Sequence, residues 1–220
     1  MANWTAVIPV KRLDAAKSRL RGAVPAARHQ DLALAMLRDT AVAVLACAEV
    51  AELLVVTDDP AAAGAAAALG ARVVADRPDA GLNDAVRYAA DTVAGPARYR
   101  AGLTGDLPAL DPAELGAALV AATAAGTRSY VADAAGTGTT LLSAPPGVAL
   151  DPLFGVGSAA AHARSGAAAL TGDWPGLRQD VDTAADLRTV LALGPGRHTR
   201  TLLRELGIRA DGGTSRLPAA

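Results

Sequence analysis

The stretch Leu53-Leu54-Val55-Val56-Thr57-Asp58-Asp59-Pro60 decides the fold class of this chain. An apolar run ends at two aspartates, and Asp59 can cap a helix that has Pro60 in its first position. This is the junction between a buried strand and a helix. Similar junctions recur along the chain, so that short apolar runs alternate with longer segments of helical period. The pattern predicts an α/β domain with a mostly parallel central sheet.

The same reasoning extends to the rest of the chain. Further strands are predicted at 6–10, 71–75 and 99–104, and helices over 32–47, 82–93 and from Asp111-Pro112 to about 124. Glu114 is placed to complete a capping box with Asp111. The runs 129–132 and 139–143 predict a hairpin or small β-excursion around Gly136, and a last long helix follows Thr183. We expect one domain over 1–206 and a disordered tail over 207–220.

Composition and charge exclude several classes of protein. The 220 residues carry 21 Lys and Arg against 22 Asp and Glu, so no overall field favours nucleic acid or a membrane surface. Cys47 is the sole cysteine, which rules out an intrachain disulfide, and its helical position predicts a core role. The sequence shows neither a secretory signal nor an uninterrupted membrane span. We therefore expect a soluble, cytoplasmic protein.

Two short acidic segments are the main candidates for a functional site. Gly105-Asp106-Leu107-Pro108 closes a predicted strand, and Asp180-Val181-Asp182-Thr183 lies far downstream. If the fold brings them together, their carboxylates form a hard oxygen site suited to Mg²⁺. Asp182 is expected to cap the helix that begins near Thr183, which leaves Asp180 as the second ligand beside Asp106.

A basic loop follows the first predicted strand and suggests phosphate chemistry. Lys11 comes directly after the strand, and Lys17 and Arg19 follow on a polar stretch that can fold over a polyphosphate. The chain contains neither a G-x-x-x-x-G-K-[ST] motif nor a G-x-G-x-x-G motif after this strand. A nucleotide must therefore be held without either of these glycine-rich loops.

A second group of candidates lies in the later part of the chain. Gly155, Gly157 and Ser158 open a short helix, where backbone N–H groups and a hydroxyl favour an anion, although an ordinary loop-to-helix junction has the same pattern. Thr140 either adds a hydroxyl contact or is simply a β-branched strand residue. The three histidines share no metal-ligand spacing, so packing or surface roles are expected for them.

Taken in order, these segments resemble a known family over nearly the whole chain, to about residue 206. The segments are Ile8-Pro9-Val10-Lys11, Ala16-Lys17-Ser18-Arg19-Leu20, Gly81-Leu82-Asn83, Gly105-Asp106-Leu107-Pro108, Gly136-Thr137-Gly138-Thr139-Thr140, Phe154-Gly155-x-Gly157-Ser158 with His162, and Asp180-Val181-Asp182-Thr183. The series is similar to the 2-phospho-L-lactate/phosphoenolpyruvate guanylyltransferases of coenzyme F-420 biosynthesis. Sugar and molybdopterin relatives with the wider fold carry a Gly-rich loop after the first strand, where this chain has Pro9-Val10-Lys11.

The resemblance implies a three-layer, Rossmann-like nucleotidyltransferase fold and transfer of GMP from GTP to a small phosphorylated acid. It also implies Mg²⁺ on Asp106 and Asp180. The remaining implied roles are acceptor binding by Thr140, Gly155 and Ser158, phosphate contacts from Lys11, Lys17 and Arg19, and a nucleoside contact from Asn83.

Several alternatives stay open at the level of sequence. The acceptor implied is phosphoenolpyruvate or 2-phospho-L-lactate, and an Ala- and Arg-rich composition, typical of GC-rich actinobacteria, favours the former. Another Mg²⁺-dependent nucleotidyltransferase, acting on a sugar phosphate or cofactor precursor, is the nearest rival. A non-catalytic nucleotide-binding protein is the rival from a different class. The protein is expected to act as a monomer or homodimer.

Overall fold

A computed structural model describes residues 3–11, 13, 20, 23–76 and 81–208. Seven strands and eight α-helices are assigned in this part of the chain. The strands are β1 (Trp4–Pro9), β2 (Val50–Val56), β3 (Arg72–Val74), β4 (Tyr99–Leu103), β5 (Ser129–Ala132), β6 (Thr139–Ala144) and β7 (Ala168–Ala169). The helices are α1 (His29–Ala46), α2 (Pro60–Ala68), α3 (Leu82–Tyr88), α4 (Pro112–Ala125), α5 (Ser158–Arg164), α6 (Pro175–Arg178), α7 (Ala184–Leu193) and α8 (Arg197–Glu205). A 3₁₀ turn (Ala26–Arg28) precedes α1, and a π-helix (Ala89–Ala94) continues α3.

The strands form one sheet in the order β3-β2-β1-β4-β6-β5-β7. β1 pairs in parallel with both β2 and β4, whereas β6 is antiparallel to β4 and β5. Among the described strands β6 alone runs against the others, so the predicted mostly parallel α/β sheet is confirmed. The chain moves from β1 to β3 on one side and continues with β4 on the other, which creates a topological switch point between β1 and β4.

Helices cover both faces of the sheet and give the predicted three layers. One face packs against apolar residues of α1, α2 and α4, including Leu37, Ala62 and Leu115. The other packs against α3 and α5 through residues such as Val86 and Ala159. Cys47 is buried in the first of these layers, which confirms its predicted core role.

The two predicted aspartate caps are confirmed. Asp59 accepts hydrogen bonds from the N–H groups of Ala61 and Ala62, at 2.9 and 3.0 Å, at the start of α2. Asp111 accepts from the N–H of Ala113 at 2.7 Å at the start of α4. The predicted capping box at α4 is wrong, because the Glu114 carboxylate accepts instead from the N–H of Leu177. This contact, at 2.8 Å, ties α6 to α4.

The predicted β5–β6 hairpin is confirmed, and its place in the fold is central. Asp133 organises the turn by accepting from the N–H groups of Thr137 and Gly138. The hairpin is not a separate excursion, because β6 pairs with β4 and thereby extends the main sheet. The ladder puts the start of β6 beside the carboxyl end of β4.

The C-terminal region contains a helix beyond the last one expected. Helix α8 follows the break at 194–196 and ends at Glu205, and the chain leaves it through Gly207, whose φ is 71°. The N–H of Ile208 bonds to the carbonyl of Leu203, and that of Gly207 to the carbonyl of Arg204, a pattern that closes many helices. Of the predicted tail, 209–220 lies outside the described residues.

None of the helices that the structure describes is long and apolar enough to cross a membrane.

Candidate active site

The carboxyl ends of β1 and β4 bring two of the predicted site residues to one edge of the sheet. The parallel register pairs Val7 with Gly102, so the two strands end side by side. Lys11 follows β1 and is exposed, and Asp106 follows β4 and is partly exposed. Ligands of open α/β sheets bind at this edge, next to the switch point. A cation and a carboxylate there form a setting for phosphate chemistry.

The loop that carries Asp106 is held against the sheet and α1. A Cβ atom at Gly105 would lie 3.1 Å from Cγ2 of Ile8 and 3.6 Å from Cδ1 of Leu37, so the backbone approaches β1 too closely for a larger residue without a shift. The next residue but one, Leu107, is fully buried. These contacts fix the position of Asp106 between them.

Helix α1 holds the same loop by hydrogen bonds. The Thr40 hydroxyl accepts from the N–H of Leu107 at 3.0 Å and donates to the carbonyl of Met36 at 2.9 Å. The preceding residue, Asp39, accepts from the N–H groups of His198 and Thr199 at the start of α8. Adjacent residues of α1 therefore support both the Asp106 loop and the C-terminal helix.

The second acidic segment lies between α6 and α7. Val181 is fully buried among apolar residues that include Leu32 and Met36 of α1. Asp180 is partly exposed and Asp182 is exposed. The carbonyl of Asp180 accepts from the Gln179 side chain at 2.9 Å. Burial of Val181 therefore anchors a segment in which both flanking carboxylates reach the surface.

The prediction that Asp182 caps the last long helix is wrong. Thr183 is the N-cap of α7, and it forms a capping box with Asp186. The side chain of Thr183 accepts from the N–H of Asp186, and the Asp186 carboxylate accepts from the N–H of Thr183 at 2.7 Å. The pattern of Thr followed three residues later by an acid is in the sequence and identifies this cap. Asp182 is therefore not the cap of α7.

The predicted acceptor segment is assembled around the start of β6 and α5. Thr140 on β6 and Ser158 at the start of α5 are both buried, whereas Gly155 is exposed with φ 134°. The N–H of Ser158 donates to the carbonyl of Gly155 at 3.1 Å, and the N–H of Ala159 donates to that of Thr137. The hairpin turn and the glycine-rich loop are thus joined.

Asn83 has a defined structural partner. Its side-chain oxygen accepts from the N–H of Phe154 at 2.7 Å, and its side-chain nitrogen donates to the carbonyl of Phe154 at 3.0 Å. These two hydrogen bonds from the Asn83 side chain to the backbone of Phe154 tie the start of α3 to the loop that contains Gly155. The predicted contact of Asn83 with a nucleoside stays a prediction.

His162 is fully buried and makes hydrogen bonds to two parts of the acceptor segment. Its Nε2 accepts from the N–H of Leu153 at 2.9 Å, so the ring proton lies on Nδ1 and is donated to the Thr139 hydroxyl, also at 2.9 Å. Burial, reinforced by the positive charge of Arg128, lowers the pKa of His162 to about 4. The neutral ring is a packing element, as expected for the histidines, and it fixes β6 relative to the 153–157 loop.

Thr104 is a candidate that the sequence did not reveal. Its N–H donates to the carbonyl of Thr140 at 3.1 Å, which extends the β4–β6 ladder by one residue. The hydroxyl oxygens of Thr104 and Thr140 are buried, and neither has a hydrogen-bond partner in the described structure. A single threonine at a strand end carries no motif, so its position became evident only from the pairing.

A cavity lies elsewhere in the fold. A space of about 440 Å³ lies between α1, the 108–112 segment and the connection from α7 to α8. None of the predicted site residues that the structure describes lines it. The strand-end edge, with its charged and hydroxyl groups, is therefore the better candidate for the active site.

Lys17 and Arg19 lie outside the described residues, so their roles stay predictions. Asp106, Asp180 and Asp182 supply carboxylate oxygens, which are the protein ligands that Mg²⁺ prefers. No group of three or more His, Cys, Asp or Glu side chains in the described ranges is arranged to hold a metal. Mg²⁺ is commonly bound by one or two carboxylates together with substrate phosphates, so the donor set fits that ion.

Comparison with solved structures agrees with this fold. A putative nucleotide-diphospho-sugar transferase from Desulfovibrio desulfuricans superposes with a TM-score of 0.71 at 18% identity, over 94% of this chain and 96% of that one. A nucleotidyl transferase from Methanothermobacter has a TM-score of 0.57 at 20% identity, over 87% of this chain and 97% of its own. At these identities the likeness establishes the nucleotidyltransferase fold.

Sequence comparison establishes the family. The phosphoenolpyruvate guanylyltransferase of Salinispora arenicola is 62% identical over 200 residues, which cover 90% of this chain and 92% of that protein. The protein of the same name from Streptomyces coelicolor is 50% identical over 206 residues, covering 92% and 97%. The family model described as guanylyl transferase CofC like matches residues 4–217. The chain therefore belongs to the CofC-like guanylyl transferase family.

Proposed function

We propose that this protein transfers GMP from GTP to phosphoenolpyruvate, or to 2-phospho-L-lactate, and releases pyrophosphate in the biosynthesis of coenzyme F-420. Membership of the guanylyl transferase family, with relatives named for phosphoenolpyruvate, is the observation that carries the proposal. Lys11 and Asp106 follow neighbouring strands, and the edge of the sheet at which these strands end is the proposed place of the transfer reaction.

The reaction needs no general base. A phosphate monoester has a second pKa of about 6, so the acceptor is already ionised at neutral pH. Its phosphate oxygen forms a bond to the α-phosphorus of GTP. The bond from that phosphorus to the bridging oxygen breaks, and pyrophosphate leaves with the electron pair. This explains why a neutral, buried His162 is compatible with activity.

The main barrier is electrostatic, because two multiply charged anions must meet. Positioning and charge neutralisation therefore supply the catalysis. Lys11 lies two residues after the end of β1 and is exposed, so its ammonium group can reach a phosphate at the strand end. Lys17 and Arg19 are proposed to neutralise the departing pyrophosphate together with Lys11.

Asp106 and Asp180 are proposed to hold Mg²⁺. When bound, the ion neutralises phosphate charge and orients the phosphate oxygens. The chain's own part is to keep the carboxylate of Asp106 in place, which it does through the contacts of Gly105 with Ile8 and of Leu107 with Thr40. Phosphate oxygens then complete the set of ligands.

Thr140, Gly155 and Ser158 are proposed to bind the acceptor. The start of β6 and the loop before α5 are joined by His162, which bonds to both Thr139 and Leu153. A single buried ring thus sets the distance between the elements that carry the three residues. Rigid support of this kind favours a small, precisely shaped ligand.

The test measures pyrophosphate release from ATP, CTP, GTP and UTP, each with phosphoenolpyruvate, 2-phospho-L-lactate, 3-phosphoglycerate and a sugar phosphate. Mass spectrometry of the product identifies the acceptor. We expect release with GTP and with phosphoenolpyruvate or 2-phospho-L-lactate. Preference for CTP or a sugar phosphate would indicate another nucleotidyltransferase. Binding of GTP in calorimetry without turnover would indicate a non-catalytic nucleotide-binding protein.

A further inference from the structure

Two buried hydroxyl groups lie on adjacent strands, at the carboxyl end of β4 and the start of β6. The β4–β6 register pairs Leu103 with Leu141, and the bond from the N–H of Thr104 to the carbonyl of Thr140 continues it by one step. Thr104 and Thr140 are therefore direct cross-strand neighbours, with Cβ atoms about 5 Å apart. Neither hydroxyl has a partner within the described part of the chain.

Such a pair is costly for the fold alone. Buried hydroxyl groups in proteins are almost always hydrogen-bonded, because an unmade bond leaves their desolvation uncompensated. Valine has the same shape and β propensity as threonine without that cost. Two neighbouring hydroxyls could also satisfy each other, and these do not. An anionic oxygen that accepts from both hydroxyls would satisfy both donors.

The face of the sheet identifies what that oxygen belongs to. Side chains alternate along a strand, so Thr104 and Thr140 point to the same face as Gly102 and Leu142. Phe154 lies on that face, since a Cβ atom at Gly102 would be 3.5 Å from its ring. Phe154 directly precedes Gly155, and Ala159, next to Ser158, packs in the same layer. The hydroxyls thus point toward the proposed acceptor segment.

The position of Thr104 in the sequence also places it near the proposed active site. Thr104 stands two residues before Asp106, at the strand end where the proposed reaction takes place. As a residue it is partly exposed, so the protein surface lies beside its buried hydroxyl. Because the hydroxyl itself is buried, binding of a ligand oxygen there requires a local rearrangement. Hydroxyl donors of this kind form their strongest bonds with ionised oxygens.

We infer that Thr104 is a binding residue for the acceptor acid, and that its hydroxyl and that of Thr140 donate together to an anionic oxygen of this ligand. The inference rests on the proposed function for the identity of the acceptor. The partners are a carboxylate or phosphate oxygen of the phosphorylated acid, not the phosphates of GTP.

The test compares Thr104→Val with Thr104→Ser, using steady-state kinetics with GTP and phosphoenolpyruvate. Loss of a hydrogen bond to a charged group weakens binding about 10- to 100-fold. We expect Thr104→Val to raise the KM for phosphoenolpyruvate by that factor, with little change in the KM for GTP. Thr104→Ser, which retains the hydroxyl, should restore the wild-type KM. The melting temperature of Thr104→Val should equal or exceed that of the wild type.

Thr5→Val is the matched control. The Thr5 hydroxyl is also buried without a partner in the described structure, but Thr5 lies near the start of β1, opposite Arg100. It is therefore about four strand residues, or about 13 Å, from the level of Thr104. Thr5→Val should leave both KM values unchanged.

Four outcomes decide the inference. A wild-type KM for phosphoenolpyruvate in Thr104→Val, or a rise confined to the KM for GTP, would overturn it while leaving the proposed function intact. If the wild-type protein shows no turnover, calorimetry of phosphoenolpyruvate binding still decides: weaker binding by Thr104→Val supports the inference although the proposed function fails. No binding of either phosphoenolpyruvate or 2-phospho-L-lactate by the wild type would overturn both.

Discussion

The hydroxyl of Thr40 accepts a hydrogen bond from the backbone N–H of Leu107 at 3.0 Å. Through this bond, helix α1 fixes the loop that carries Asp106, although neither residue is near the other in sequence. Thr40 also donates to the carbonyl of Met36, so its rotamer is fixed by its own helix. The hydrogen bond between buried Thr40 and Leu107 thus helps to fix the position of the proposed catalytic carboxylate of Asp106.

Replacing Thr40 by valine should loosen this loop. The buried N–H of Leu107 then loses its partner, which costs about 1–3 kcal/mol of stability. We expect kcat to fall about tenfold or more, because a small misplacement of a catalytic group is costly. Thr123→Val is the control, since the Thr123 hydroxyl makes the same bond to a carbonyl four residues earlier but holds no loop. Equal kinetics in the two variants would refute the positioning role of Thr40.

Gly105→Ala tests the close approach of the loop to β1. The added methyl group lies 3.1 Å from Cγ2 of Ile8, so the loop or the strand must shift by a few tenths of an ångström. We expect a loss of about 1–3 kcal/mol in the free energy of unfolding and a lower kcat. Gly116→Ala on α4 is the matched control, because its methyl group meets Sγ of Cys47 at an ordinary 3.7 Å. That variant should be more stable by roughly 0.5–1 kcal/mol, as expected for alanine in a helix.

Neither of the two aspartates beside Val181 caps α7, so the effects of substituting Asp180 and Asp182 on turnover can be compared directly. Because Thr183 and Asp186 cap α7, Asp180→Asn and Asp182→Asn should both leave the stability of that helix unchanged. We expect Asp180→Asn to reduce turnover by about a hundredfold, and Asp182→Asn to have the smaller effect. A more severe loss in Asp182→Asn would transfer the proposed metal contact to that residue.

His162 should make stability depend on pH. Its pKa is lowered to about 4 in the folded protein, against about 6.5 in the unfolded chain. The unfolded state therefore binds the proton first as pH falls. The stabilising effect is complete above pH 6.5 and is lost as pH falls toward 4, by about 3 kcal/mol in all. Urea unfolding at pH 7 and 4.5 measures it, and His162→Gln should flatten the difference. If the variant lost as much stability between pH 7 and pH 4.5 as the wild type, a group other than His162 would cause the pH dependence.

Local signals in the sequence predicted the local structure well. Asp59 with Pro60, and Asp111 with Pro112, mark helix starts through side chains that bond to their own chain neighbours. Thr183 and Asp186 have the same kind of signal, and only the choice of Asp182 as cap was wrong. The apolar runs also predicted that Lys11 and Asp106 each follow a strand, which is confirmed, and the structure adds that these strands are neighbours.

Features that depend on distant residues could not be predicted in this way. Helix α8 has no cap of its own, because Asp39, 160 residues before Thr199, accepts from its first N–H groups. Glu114 bonds to Leu177 and not to its own helix. Strand β7 is two residues long and exists through its pairing with β5. The cross-strand pairing of Thr104 with Thr140 likewise follows from the register of β4 and β6.

The central claim is that the carboxylate of Asp106 organises guanylyl transfer at the end of β4. The most direct measurement is pyrophosphate release from GTP and phosphoenolpyruvate by Asp106→Asn, with circular dichroism to verify the fold. Asp111→Asn is the control, since that aspartate lies on the same segment and caps α4. We expect a loss of about a hundredfold or more in Asp106→Asn alone, with native spectra for both proteins. Near-normal turnover by Asp106→Asn would contradict it.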